Sequence, residues 1–124
     1  MIITLKSIVL GISIIFMSSI SFAKEINLGK YLITHYCACK KCCNKSDGIT
    51  ASGKKAKEGM IASNEFLFGT KIKIEDKIYI LEDRGAKSLF GTKTNPIKHI
   101  DIFVNNHEKA RKLGRKYVNI FKII

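Results

Sequence analysis

Residues 70–83, TKIKIEDKIYILED, constrain the fold more than any other stretch of the chain. In TKIKIED, Ile72 and Ile74 fall on one side of an extended backbone and Lys71, Lys73 and Glu75 on the other. This period-two pattern marks a strand with one face on a core and one in water. KIYILED follows without a linker, so the two segments predict a tight antiparallel hairpin turning near Asp76-Lys77. Three further segments, KYLITHY (30–36), IKHIDIFV (97–104) and YVNIFKII (117–124), carry the β-branched and aromatic side chains of strands. Between them lie two glycine-punctuated stretches, 44–59 and 84–96, which read as long ordered loops. NNHEKARKLGRK is the one helical pattern: Asn105 or Asn106 as N-cap, Glu108 in the first turn, basic residues toward the end, and Ala110 and Leu113 facing a core. The expectation is one domain, mainly β, built as a small barrel rather than an α/β sheet.

The N-terminus bears on the compartment. In MIITLKSIVLGISIIFMSSISFA, Lys6 precedes an apolar and small-residue run from Ser7 to Phe22 that ends on Ser21-Phe22-Ala23. This is the small-x-small pattern of a signal peptide cleaved after residue 23. A single membrane anchor is the alternative, since the run approaches the ~20 residues that a bilayer requires; the cleavage pattern favours removal. In both cases residues 24–124 are exported, a length suited to one domain. The net charge is +12, and only Lys6 of the charged residues lies in the leader, so the exported part keeps +11. Such a surface suits a polyanion, here an anionic cell wall or membrane surface, whereas export argues against nucleic acid. A solvated lysine-rich surface with no partner is the plainer reading.

All four cysteines sit in YCACKKCC, at Cys37, Cys39, Cys42 and Cys43. In an exported protein an even set of cysteines predicts disulfides. Bridging the adjacent Cys42 and Cys43 is strained, so a cross-pairing of the two doublets is expected, stapling the mouth of the 44–59 loop. One zinc ion on four thiolates is the alternative; the C-x-C-x-x-C-C spacing is tighter than separated C-x-x-C knuckles, although Lys40 and Lys41 would favour thiolates. His35 is a further candidate ligand, but a lone histidine on a strand is more often structural.

Two aspartates, Asp83 in YILEDRG and Asp101 in HIDIFV, end or interrupt apolar strands. A carboxylate at such a place is costly to desolvate and tends to be paired, hydrogen-bonded or functional. Asp83 before Arg84-Gly85 also fits a plain turn cap, and Asp101 a solvent-facing strand position. The loop SDGITASGKKAKEG offers Asp47, Thr50, Ser52 and several lysines around glycines that permit close approach of a ligand. It lacks the G-x-x-x-x-G-K-[ST] spacing of a phosphate loop, and the chain has neither G-x-S-x-G nor H-E-x-x-H.

The ordered motifs TASGK (50–54), EGMIA (58–62), FGTKI (68–72), LEDRG (81–85) and HIDIF (99–103), with HEKA (107–110) and a terminal VNIF strand, resemble the three-aspartate domain of secreted bacterial cell-wall proteins. The resemblance spans nearly all of residues 24–124. It implies a small six-stranded double-psi β-barrel with one or two short helices, similar to lytic transglycosylase A, which cleaves peptidoglycan between N-acetylmuramic acid and N-acetylglucosamine. By this resemblance Asp83 is the second aspartate of the family and Asp101 the third, the catalytic acid. The first is replaced: the pattern I-A-x-D stands here as Ile61-Ala62-Ser63-Asn64, and asparagine does not ionise or transfer a proton near neutral pH. Thr50, Ser52, Asn64, Lys71 and His99 are the candidate substrate contacts. The implied partners are peptidoglycan glycan strands and anionic wall polymers, with no nucleic acid and no lasting membrane insertion once the leader is removed. No cofactor is expected, zinc at the four cysteines being the alternative to disulfides. His99-x-Asp101 also resembles the H-x-D element of expansin-type barrels, so a non-catalytic wall-binding module is the alternative function. A small basic secreted toxin would explain charge and cysteines but not the ordered motifs.

Overall fold

The computed structural model describes residues 24–39 and 47–124; residues 1–23, where a leader is expected, and 40–46, which carry Cys42 and Cys43, lie outside the described residues. Six strands close into a barrel: β1 (Glu25–Tyr36), β2 (Met60–Ala62), β3 (Lys71–Ile74), β4 (Lys77–Asp83), β5 (His99–Phe103) and β6 (Lys116–Ile123). Their order around the barrel is β1-β5-β2-β4-β3-β6, with β6 returning to β1. Two short helices, α1 (Lys87–Phe90) and α2 (His107–Leu113), complete the described elements. The β1/β5 and β2/β4 pairs are parallel and the other four antiparallel. Parallel neighbours need crossover connections, so the chain is not an up-and-down meander. This arrangement agrees with the double-psi topology expected of it.

β1 makes closure possible. Its residues 25–33 pair antiparallel with β6 while residues 32–36 pair parallel with β5. The ladder slips between Asn27 and Gly29, where Gly29 takes φ 90 and the Asn27 side chain accepts from its backbone N–H. A bulge of this kind bends and twists a strand, which lets one strand serve two neighbours. The interior is filled by Tyr31, Ile33, Ile61, Ile72, Ile74, Leu81, Ile100, Ile102 and Ile120. Ile72 and Ile74 point inward as their alternation predicts. On the opposite face of the same strands Tyr36, Ala62 and Phe103 form a smaller cluster with Ala38 and Ala56.

Several local expectations shift. The hairpin turns at Glu75-Asp76 rather than Asp76-Lys77, since Ile74 pairs with Lys77 and Glu75 takes φ 56. β2 carries only Met60, Ile61 and Ala62, all buried, too few residues for any periodicity to show. Within the expected 84–96 loop, residues 87–90 form α1, anchored by buried Phe90. In α2 the N-cap is Asn106, whose side chain accepts from the Lys109 N–H, and Ala110 is buried. Leu113 is 48% exposed instead of facing the core, although the helix packs on β1 and buries Ala110 there.

Candidate active site

The geometry centres on Ala62. This residue pairs with Asp101 on β5 and with Asp83 on β4, and directly opposed residues project to one face of a sheet. The β2/β4 ladder slips between Ile61 and Ala62, so that Ile61 opposes Leu81 while Ala62 opposes Asp83. Without this bulge Glu82 would stand there, and Asp83 would belong to the core-facing set with Leu81. The bulge therefore places both aspartates on the outer face, one strand apart on either side of a methyl group. Two strand spacings separate their backbones, about 10 Å.

Asp83 is held from three directions: it accepts from the Tyr36 hydroxyl at 2.9 Å and from the backbone N–H groups of Ala51 and Arg84, each at 2.9 Å. Tyr36 itself packs edge-on against Phe103. Asp101 has a different environment. Burial pushes its carboxyl up to about 6 from 3.8; the Thr34 hydroxyl acts against this and the nearby Asp83 charge adds to it.

The Thr34 hydroxyl lies 2.9 Å from Asp101 Oδ1 and 2.7 Å from His99 Nε2, while His99 Nδ1 lies 3.1 Å from the Leu89 carbonyl. A carbonyl only accepts, so Nδ1 carries a proton. Thr34 has one proton to donate. If it goes to an ionised Asp101, Nε2 must also be protonated and the imidazole is a cation. If His99 is neutral, Thr34 donates to Nε2 and the Asp101 carboxyl must carry the remaining proton. Burial lowers the His99 pKa, against a smaller raising by the Leu89 carbonyl, and the ring lies flat on Phe90 at 4.0 Å between centroids. Both effects favour the second state, with Asp101 protonated. Asp101, Thr34 and His99 thus form a short chain sharing one mobile proton.

The remaining expected contacts divide. Thr50 is buried and its hydroxyl lies 3.0 Å from that of Ser52, which donates to Glu82 Oε2 at 3.1 Å. Lys54 pairs with the same oxygen at 2.8 Å and lowers the Glu82 pKa. Thr50 and Ser52 therefore lock the 50–54 loop to β4, and the loop delivers the Ala51 N–H to Asp83. Asn64 donates to the Gly85 and Gly91 carbonyls and accepts from the Gly85 N–H. An aspartate cannot make the two donations, so asparagine here is a bracket for the 84–91 segment. Both nitrogens of His99 are engaged within the protein, which makes it a support for Asp101. Lys71 is exposed at the start of β3 and has no hydrogen bond or ion pair to either aspartate among the described residues. Asp47 accepts from the Ile49 N–H, a turn contact.

Thr34, Tyr36 and Arg84 are added by the structure. Arg84 donates to the Ser63 carbonyl at 2.7 Å and lies over the half-exposed Phe68 ring at 4.1 Å. The alternation in KYLITHY puts Thr34 and Tyr36 on one face, but only the pairing of β1 with β5, and of β2 with β5 and β4, shows that this face bears the aspartates. A separate pocket of about 660 Å³, lined by His35, Glu58, Tyr79 and Lys109 among others, contains neither aspartate.

The cysteine expectation changes. The Cys37 and Cys39 sulfurs stand 2.8 Å apart, beyond the ~2.05 Å of a disulfide bond, so no disulfide joins these two among the described residues. The histidine beside them is His107, not His35, whose Nδ1 faces the Gly114 carbonyl. The other halves of the expected cross-pairing and of the four-thiolate site, Cys42 and Cys43, lie outside the described residues.

No family model matches the chain, and no curated protein matches it.

Proposed function

We propose that the protein is a secreted peptidoglycan lytic transglycosylase of the three-aspartate kind, with Asp101 as its acid. The observation that carries this reading is the proton-sharing chain Asp101–Thr34–His99 set across Ala62 from Asp83. A carboxyl kept protonated up to about pH 6 is suited to general acid catalysis in a mildly acidic wall environment. Asp101 donates its proton to the glycosidic oxygen as the bond to C1 of N-acetylmuramic acid breaks. The freed carboxylate then accepts the proton of the sugar's own C6 hydroxyl as that oxygen bonds to C1, closing a 1,6-anhydro ring and restoring the acid. No water is consumed, so a second carboxylate placed to activate water is not needed. Asp83, bound by three donors, supplies a fixed negative charge that supports both the raised Asp101 pKa and the positive charge developing at C1.

The test is mass spectrometry of soluble fragments released from purified peptidoglycan, with Asp101→Asn alongside. Fragments ending in 1,6-anhydro-N-acetylmuramic acid, absent with the variant, are the expected result. Reducing ends would instead mean hydrolysis. A wall-bound, folded protein that releases nothing would overturn the enzyme in favour of the non-catalytic wall-binding module that His99-x-Asp101 also suggests.

A further inference from the structure

We propose that Cys37, Cys39 and His107 bind one zinc ion that clamps the end of β1 to the start of α2. The two thiols and the imidazole Nδ1 all lie within 4.8 Å of one another. The Cys37 and Cys39 sulfurs stand 3.6 and 3.5 Å from Nδ1. A tetrahedral ion with Zn–S near ~2.3 Å and Zn–N near ~2.05 Å has a sulfur–nitrogen edge of about 3.5 Å, so both of these edges are already set. The sulfur–sulfur edge, at 2.8 Å, is shorter than the ~3.8 Å that two thiolates on zinc adopt, and it opens by about 1 Å on binding. Side-chain rotation at Cys39, which is only half-buried, suffices for this. Thiolate and imidazole together are the donor set of zinc rather than of calcium or magnesium.

The fold brings these groups together deliberately. Tyr36 pairs with Phe103, and the Val104 N–H donates to the Tyr36 carbonyl at 2.8 Å. The chain beyond β1 therefore runs beside the chain beyond β5, and the Asn106 cap starts α2 with His107 facing Cys37 and Cys39. An ion at this point ties residues about 70 positions apart in sequence. It also fixes the backbone next to Tyr36, whose hydroxyl holds Asp83. This proposal does not depend on the glycan chemistry.

The experiment measures metal content of the protein purified without oxidation, then cobalt(II) substitution and competition against a chelator. One equivalent of zinc is expected, with a cobalt spectrum showing tetrahedral d–d bands and thiolate-to-cobalt charge transfer. Cys37→Ser and His107→Ala should each weaken binding by more than the ~10–100-fold typical of losing an outer partner of a ligand. In the unaltered protein, chelation should lower the melting temperature, a readout that needs no variant to fold. Binding retained in Cys42→Ser and Cys43→Ser supports the three-residue set. Binding lost in those two but kept in Cys37→Ser and His107→Ala overturns it. So does a metal-free protein with a Cys37–Cys39 disulfide by mass spectrometry.

Discussion

Asp101 is the acid of the proposed mechanism, and its environment sets a pH dependence with a definite sign. Its pKa in the folded chain is about 6 against an ordinary 3.8. Because the folded value is the higher one, its favourable contribution is complete below about pH 4 and is lost as pH rises through about 6. Above that, ionising the buried carboxyl costs about 3 kcal/mol. Glycan cleavage should accordingly fall by about tenfold per pH unit above about pH 6, read from a rate profile on purified peptidoglycan. Asp101→Asn should lower the rate by roughly 10²–10⁴-fold and yet raise the melting temperature at about pH 7.5, with a smaller gain at about pH 4. A melting temperature that drops equally at both would contradict the buried, protonated acid. Thr34→Val removes the hydroxyl that donates to Asp101 in its ionised state, so the descending limb of the profile should move to higher pH while the rate falls. Carbon-13 titration of the Asp101 carboxyl checks that direction independently of turnover. None of this was visible in the strand pattern, which marks Asp101 as unusual but does not name Thr34 as its partner 67 positions away.

At the scale of elements, the smallest ones matter most to the site. β2 has three residues, yet the bulge in β4 opposite it decides that Asp83 rather than Glu82 shares a face with Asp101. α1 has four, yet its Phe90 supports the His99 ring. Gly85 is where these meet: a methyl group there would come within 2.0 Å of the Phe90 ring. Gly85→Ala should therefore displace Phe90 and cost about 1–3 kcal/mol by urea denaturation. Phe90→Leu, which frees that space, should make the double variant less destabilised than the sum of the two single ones. Purely additive losses would mean that Phe90 does not fill the space above Gly85.

For the whole molecule, residues 24–124 carry a net charge of +11 on a small barrel, and under the proposed function long-range attraction rather than a single contact would govern its approach to a polyanionic wall. Co-sedimentation with walls should weaken steeply as salt rises from about 0.05 to 0.5 M, where the screening length falls below about 5 Å. Asp101→Asn should sediment as the unaltered protein does. Binding insensitive to salt would assign retention to short-range contacts with the glycan instead of to charge.

Periodicity and local capping were enough to mark five of the six strands, the inward face of the 70–83 hairpin, a cap for α2 at Asn105 or Asn106, and the two aspartates as out-of-place charges. These are local matters, decided by side-chain periodicity and by capping within a few residues. Tertiary structure alone decided which strands became neighbours and in what register. Ala62 between Asp83 and Asp101, Thr34 between Asp101 and His99, and His107 beside Cys37 and Cys39 all join distant segments. The reason is physical: a strand's alternation specifies its two faces, whereas its partner, slip and bulges follow from closing all six strands around one core.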